Sequence, residues 1–355
     1  MGNAADAVFD HEREEKMHLL KQEWKKLVTR DGFLTVFLLC FAVTLLILWN
    51  RVYRISYGDS FLPSQYCRMA DRVQNMTETE AEKYFSEEQQ EYDPVRNVIQ
   101  KEWRSAHNYE NYLDKIRSGG SGGLRGLGKN VYQERLQKKL QAKYREMDPA
   151  EVSFAGGRGV SLFCHTDVAD MMAVLMMLLI IFRLVVWEAE SGMDGINMAA
   201  RNGAAWLTRI KWAVGLMASA AVLLLVQLYK LRLYTSAYGF TGWNRVIQVL
   251  PEFVGVDRRI TVFWFVCVFL VCKTAGFLLL YTIFFWLACV GRSAVRTVIL
   301  YGLFTGVSLF TAYGISLSGY LAVFRYFSPA QCINQEMLLS GYHALKLFQY
   351  PVSYL

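Results

Sequence analysis

The sequence predicts an all-α integral membrane protein with about five transmembrane helices and a helical domain outside the membrane. Of its 355 residues, 54% are hydrophobic and 19% are charged, and the two kinds are segregated along the chain. The apolar runs, each of about 20 residues or more, can cross a bilayer core about 30 Å thick at a rise of about 1.5 Å per residue. A soluble fold does not concentrate apolar residues in this way.

The N-terminal segment, residues 1–31, is polar and basic and is predicted to be a cytoplasmic amphipathic helix. Its apolar residues fall on one helical face; they are Leu20, Trp24, Leu27 and Val28. A basic amphipathic helix before a span is typical of an interfacial helix on the positive, cytoplasmic side. An extension of the first span with a solvated basic face explains the same pattern.

The first predicted span covers residues 32–50, GFLTVFLLCFAVTLLILWN. Because a long polar stretch precedes it, this run is expected to be retained in the membrane rather than removed as a signal peptide. Residues 51–165 then contain no apolar run long enough to span, and we expect them to form one extracytoplasmic domain. Within it, helices are predicted over about 94–117 and 129–147. They are joined by a Gly-rich connector and are expected to form an antiparallel hairpin.

The second predicted span, residues 168–187, returns the chain to the cytoplasm, and the third, residues 212–229, leads out again. Residues 188–211 are therefore a cytoplasmic connection. The next loop, residues 230–259, is placed outside although it is basic, which disagrees with the positive-inside rule. Placing it inside would either leave the basic amphipathic N-terminus on the wrong side or require one of the clear spans to be dropped.

A fourth apolar stretch covers residues 260–290 and a fifth covers 297–324, so that residues 328–355 form an external tail. The fourth stretch contains Lys273, whose charge would cost about 2.5–3.5 kcal/mol at mid-bilayer on insertion scales. Either residues 260–272 are re-entrant and bring Lys273 to the surface, or the helix is long and buries Lys273 against protein. A role in a substrate pathway is the less expected alternative.

No motif predicts an enzyme, a cofactor, a structural metal or nucleic-acid binding. A GxxxxGK match ends at Lys129, but Asn130 stands where a phosphate-binding loop needs Ser or Thr, and no apolar strand precedes it. Asn75 begins a short N-x-T sequon. The seven cysteines have no metal-ligand spacing, although Cys67 and Cys164 could pair in an oxidising compartment.

Three polar residues lie close together where the second span begins: His165, Asp167 and Asp170. They could bind a metal ion, but hydration at the lipid interface is the more expected role.

The cytoplasmic connection is the most informative segment. It begins with Glu188 and Glu190 and turns at Gly192, and a short helix is expected over about 195–205. It returns to the membrane through Arg209 and Lys211. A short element bounded closely by two spans can transmit force from a cytoplasmic partner to both of them, although an ordinary interfacial loop would look the same.

The pattern of Glu188, Glu190 and Gly192 followed by Arg209 and Lys211 resembles the signature of ABC-2 type transporter permeases. The basic N-terminal helix, the large insertion after the first span and the stretch YGFTGWNRVIQVLPEF are also similar to bacterial members with large external domains. In that family this connection holds the coupling helix that docks on the ATPase subunit. The family usually has six spans, and the sixth is absent from this prediction.

The resemblance implies the membrane subunit of an ATP-driven transporter in the cell membrane, with export as the expected direction and a cytoplasmic N-terminus. Its expected partners are a cytoplasmic ABC ATPase subunit, a second permease copy or a related half, and membrane lipids. The coupling element would be Glu188, Glu190 and Gly192, with Arg201, Arg209 and Lys211 contacting the partner or phospholipid. The alternatives are a membrane receptor whose external domain binds a ligand and signals through a partner, and a passive accessory or scaffold subunit.

Overall fold

The computed structural model is helical, with one short β-hairpin near the C-terminus. It describes residues 17–18, 20–25, 27, 32–53, 61–87, 93–117, 131–145, 147–148, 151–192, 203–256, 258–310, 344–347 and 350–353. The helices that precede the second span are α1 Phe33–Tyr53, α2 Pro63–Gln74, α3 Glu78–Glu87, α4 Pro94–His107, α5 Tyr109–Arg117, α6 Val131–Tyr144 and α7 Arg158–Cys164. They are followed by α8 Val168–Ile181, a π turn Phe182–Val186, α9 Trp187–Glu190, α10 Gly203–Tyr238, α11 Val262–Gly291 and α12 Ala294–Leu309.

Four helical stretches are long and apolar enough to cross a membrane: Phe33–Tyr53, Arg158–Glu190, Ala205–Tyr238 and Val262–Gly291. They coincide with the first four predicted spans, so the prediction of a multi-span helical membrane protein is confirmed at this level. Of the fifth predicted span, the structure describes the apolar helix that begins at Ala294. Its continuation from residue 311 lies outside the described residues.

The chain divides into two compact units. The first consists of Met1–Ile47, Asp167–Gln227 and Thr274–Phe310. The second consists of Leu48–Thr166, Leu228–Lys273 and Thr311–Leu355. The first unit therefore holds the connection 188–211, and the second holds the predicted external domain.

A hydrophobic cluster in the first unit ties the N-terminal segment to the spans. Leu27 packs with Ile180, Leu184 and Ala218, so that α8, the π turn and α10 all contribute to one core. Trp24, predicted to share a face with Leu27, is instead 43% exposed, whereas Glu23 is buried. The predicted apolar face is therefore divided: Leu27 contacts protein, and Trp24 lies at the surface where a lipid interface could accept it.

The second unit holds more helices than the predicted hairpin. The predicted helix over 94–117 is interrupted at Asn108, which caps α4, and α5 then contacts α6. In addition, α2 packs against α4, and the buried Tyr66 hydroxyl donates a 2.6 Å hydrogen bond to Glu102. The Gly-rich connector between α5 and α6 lies outside the described residues.

The basic loop after α10 packs on the predicted external domain, within the same unit. The Arg245 guanidinium donates at 2.8 Å to the Ser153 hydroxyl and to the Phe154 carbonyl. Arg259 forms an ion pair with Glu151, and the Tyr144 hydroxyl donates to a loop carbonyl. Two cations of this basic loop are thus bound by partners in residues 151–154.

The tail contains an antiparallel hairpin, β1 Ala344–Leu347 and β2 Tyr350–Ser353, in which Ala344 pairs with Ser353. A two-stranded hairpin alone is at best marginally stable in water. Here β2 contacts α6, which gives the hairpin a surface to pack on.

Candidate functional site

The E-x-E-x-G sequence forms the end of the second span. The helix ends because Gly192 adopts a left-handed conformation with φ 73°, which is the usual role of Gly at this position. The Gly192 amide donates to the Ala189 carbonyl at 3.3 Å, and the Ser191 hydroxyl donates to the Glu188 carbonyl at 3.0 Å. The point at which the chain leaves the helix is therefore fixed.

Glu188 and Lys211 form a buried ion pair. Each residue is 6% exposed, and the Lys211 ammonium donates to Oε2 of Glu188. Lys211 lies in α10, so the pair joins the last turn of one span to the first turns of the next. Removing one partner of such a pair costs about 3–5 kcal/mol, because a charge is left buried without its counter-charge.

Glu190 is exposed, and it binds a third helix, α12. Its Oε1 accepts a 2.7 Å hydrogen bond from the backbone N–H of Ala294, the first residue of α12. The Ser293 hydroxyl caps the same helix by accepting from the Arg296 amide at 3.4 Å. A carboxylate at this point also interacts favourably with the positive end of the helix dipole.

A tight turn connects α11 to α12. It consists of Arg292, which is left-handed with φ 57°, and Ser293. Gly291 is required before the turn, because a Cβ there would lie 2.4 Å from the Thr297 hydroxyl. The turn thus holds the last residue of α11, the first residue of α12 and the Glu190 carboxylate close together. This contact was not predicted from the sequence: Ser293 before an apolar run signals the start of α12, whereas the partner Glu190 lies 104 residues away.

Arg201, Arg209 and Gly192 are the remaining residues of the predicted coupling element. Arg209 is exposed on the first turns of α10. Arg201 and the expected short helix over 195–205 lie largely outside the described residues, which resume at 203. At Gly192, no atom of the described part of the chain comes within 4 Å of the position where a Cβ would be. The predicted element is therefore described at its two ends.

The acidic residues considered as a metal site are capping groups of α8. Asp167 accepts from the amides of Ala169 and Asp170 at 3.1 and 3.4 Å, and Asp170 accepts in return from the Asp167 amide at 3.1 Å. Asp170 also accepts a 2.6 Å hydrogen bond from the side chain of Gln227 on α10. No group of three or more potential metal ligands occurs among the residues described.

Two lysines in the second unit are fully buried in apolar helices. Lys273 lies within the continuous helix α11, with its ammonium 5.5 Å from the centre of the Phe269 ring. The buried alternative for Lys273 therefore fits the structure, whereas a re-entrant segment does not. Lys230 donates to the His165 carbonyl at 2.7 Å and lies 6.0 Å from the Phe163 ring.

The two cysteines considered as a disulfide are not bonded to each other in the part of the chain that is described. The Cys67 thiol instead contacts the Ala237 carbonyl at 3.5 Å. Burial raises the pKa of this thiol above its ordinary value, and the nearby charge of Asp71 raises it further. The neutral thiol is therefore favoured at neutral pH.

Comparisons with known proteins give no family assignment. No protein-family model matches the chain, and neither the curated proteins nor the solved structures include a significant match.

Proposed function

We propose that this chain is the membrane-spanning subunit of an ABC-2 type transporter in the cell membrane, energised by a separate cytoplasmic ATPase subunit and acting as an exporter. The observation that supports the proposal most is the pair of contacts made by the E-x-E sequence. Glu188 joins the second span to Lys211 of the third, and Glu190 joins it to the first residue of α12. A push on the segment between residues 192 and 205 would therefore reach three helices.

The proposed mechanism is mechanical. ATP-driven closure of the two ATPase subunits displaces the coupling segment, and the ion pair makes α9 and α10 follow together. The pathway then opens between two copies of the permease, or between this chain and a related half. In this mechanism the chain supplies movement and a pathway, and the partner supplies ATP hydrolysis.

The proposed topology has five spans and a cytoplasmic N-terminus. It is supported by two sets of contacts within the second unit. The loop after α10 binds residues 151–154, and the hairpin in the tail contacts α6. Segments in contact outside a membrane lie on the same side of it, so an even number of crossings separates each of them from the external domain. Five spans satisfy this requirement.

The first experiment is purification of the tagged chain from its native membrane in mild detergent, followed by mass spectrometry. Recovery of a subunit with intact ATP-binding motifs is expected. A chain that purifies alone, or with a kinase, would contradict the proposal and favour the receptor alternative, in which the external domain binds a ligand.

Variants of the ion pair test the coupling role. Glu188→Lys alone is expected to lower the substrate-stimulated ATP hydrolysis of the complex. It places two positive charges, the introduced lysine and Lys211, next to each other without a counter-charge. The double variant Glu188→Lys with Lys211→Glu restores opposite charges and is the matched control. If the double variant is as defective as the single one while both remain in the membrane, the ion pair is not the coupling contact.

A further inference from the structure

The second span contains one irregular turn, directly before the coupling sequence. Phe182–Val186 forms a π turn, in which the Trp187 amide donates to the Phe182 carbonyl five residues before it. An α turn closes over four residues, so this turn holds one extra residue. Such turns are rare, occur mostly as single turns within α-helices, and are frequent at functional sites.

The extra residue sets which side chain meets Lys211. Beyond a π turn, each residue occupies the position that its predecessor would have in a regular α-helix. If the turn became α-helical while α8 stayed in place, the following residues would rotate by about 100° and advance by about 1.5 Å. Trp187 would then take the place of Glu188 opposite Lys211, and the buried ion pair would break.

Contacts on both sides of the helix stabilise the π turn. On the protein side, Leu184 and Val186 are 2% and 0% exposed. On the outer side, the Arg183 guanidinium lies 5.1 Å from the centre of the Trp187 ring, a cation–π contact across the turn. Trp187 itself is 45% exposed, so its indole would change from an exposed to a buried environment if the register changed.

The turn at the end of α9 is where a released residue would be taken up. Gly192 follows the short helix α9 in a left-handed conformation, and among the residues that the structure describes none has an atom within 4 Å of the position of a Cβ. A residue released from the π turn would extend α9 toward this glycine turn, where no described side chain packs against the Cβ position.

From this geometry we infer that Phe182–Val186 is a register switch. In the π state Glu188 faces Lys211 and the second and third spans are joined; in the α state Trp187 replaces Glu188 and the two spans are released from each other. The inference goes beyond the transporter proposal, and it can be tested on the purified chain without an ATPase or a substrate.

The test uses ¹⁹F NMR of the full chain labelled with 5-fluorotryptophan in lipid nanodiscs. The resonance of Trp187 is identified by its loss in Trp187→Phe. We expect two exchanging environments for Trp187, detected directly or by saturation transfer, and an increased population of the buried one in Arg183→Gln, which lacks the cation–π contact. A single environment in both the wild-type chain and Arg183→Gln would overturn the inference.

Deletion of Val185 provides the second test. It removes the extra residue, so that a regular α-helix keeps Glu188 opposite Lys211, and we expect one Trp187 environment. The matched control Val185→Ala removes most of the same side chain but keeps the π turn, and we expect it to retain two. If the deletion variant retains two environments, or if Val185→Ala has only one, the π turn is not the switch. Should the deletion variant not fold, the comparison between the wild-type chain and Arg183→Gln decides the question.

Discussion

Gly215 lies directly against the hydroxyl of Tyr281, so closely that a Cβ at position 215 would be 2.1 Å from the oxygen. The two residues bring α10 and α11 together, and the Tyr281 hydroxyl donates to the Trp212 carbonyl at 3.2 Å. The Trp212 indole donates in turn to the Thr282 hydroxyl at 3.3 Å. A small residue at the contact between two apolar helices allows this approach, as is common in membrane proteins.

We predict that Gly215→Ala lowers the free energy of unfolding by about 1–3 kcal/mol, because the new methyl group overpacks a buried contact. Thermal unfolding in detergent measures the effect. Adding Tyr281→Phe removes the hydroxyl and should restore part of the loss. Gly302→Ala is the control: no described residue has an atom within 4 Å of its Cβ position, and alanine favours the helix. Equal destabilisation by Gly215→Ala and Gly302→Ala would show that packing is not the cause.

The contact between Glu190 and Ala294 predicts a graded response. Glu190→Ala removes the acceptor and should cost about 0.5–2 kcal/mol, as for the loss of a helix cap. Glu190→Gln keeps an acceptor but loses the charge, so it should cost less. Hydrogen exchange at the Ala294 amide should become faster in the order wild type, Glu190→Gln, Glu190→Ala. Unchanged exchange in Glu190→Ala would show that this hydrogen bond does not form in the membrane.

The proposed topology predicts which positions a membrane-impermeant maleimide can reach in intact cells. Single cysteines are introduced at the exposed positions Asn75, Arg258 and Arg292, in a variant that lacks the seven natural cysteines. Positions 75 and 258 should be labelled from outside, and position 292 only in inverted vesicles. Labelling of position 258 from the cytoplasmic side alone would contradict the topology, since the positive-inside rule would then hold for this loop.

The hydrogen bond from Tyr66 to Glu102 predicts a loss of stability at alkaline pH. Burial raises the pKa of Tyr66 well above its ordinary value of 10.0, and the charge of Glu102 raises it further. Since the folded state holds this proton more tightly than the unfolded state, the stabilisation is complete below about pH 10 and falls as the pH rises beyond it.

Tyr66→Phe isolates this contribution. The variant should lose about 1–3 kcal/mol at neutral pH, because Glu102 loses a buried hydrogen-bond donor. Its unfolding temperature should then vary less than that of the wild type above about pH 10. Parallel pH profiles for the two proteins would show that Tyr66 is not responsible.

Hydropathy predicted the spans because it is a local property of the sequence. The ends of the helices were harder to predict. The third span was expected over residues 212–229, but α10 extends over Gly203–Tyr238. Charged residues such as Lys211 and Lys230 end an apolar run without ending a helix, and here both are buried with partners.

The candidate site was predicted in its residues but not in its contacts. Glu188 and Lys211 were both selected from the sequence, yet nothing in their spacing of 23 residues indicates that they pair. The contact from Glu190 to Ala294 spans 104 residues and depends on the tertiary fold. The π turn has no local signal, since the sequence FRLVV is equally compatible with an ordinary helical turn.

The two-residue turn at Arg292 and Ser293 also fixes a length. One additional residue there would add up to about 3.5 Å of chain, which is more than the 2.7 Å hydrogen bond between Glu190 and Ala294 can absorb. The turn therefore acts as a spacer of fixed length that does not accept the insertion of even one residue. Insertions that a surface loop would normally accept should be rejected at this position, even though Arg292 itself is exposed.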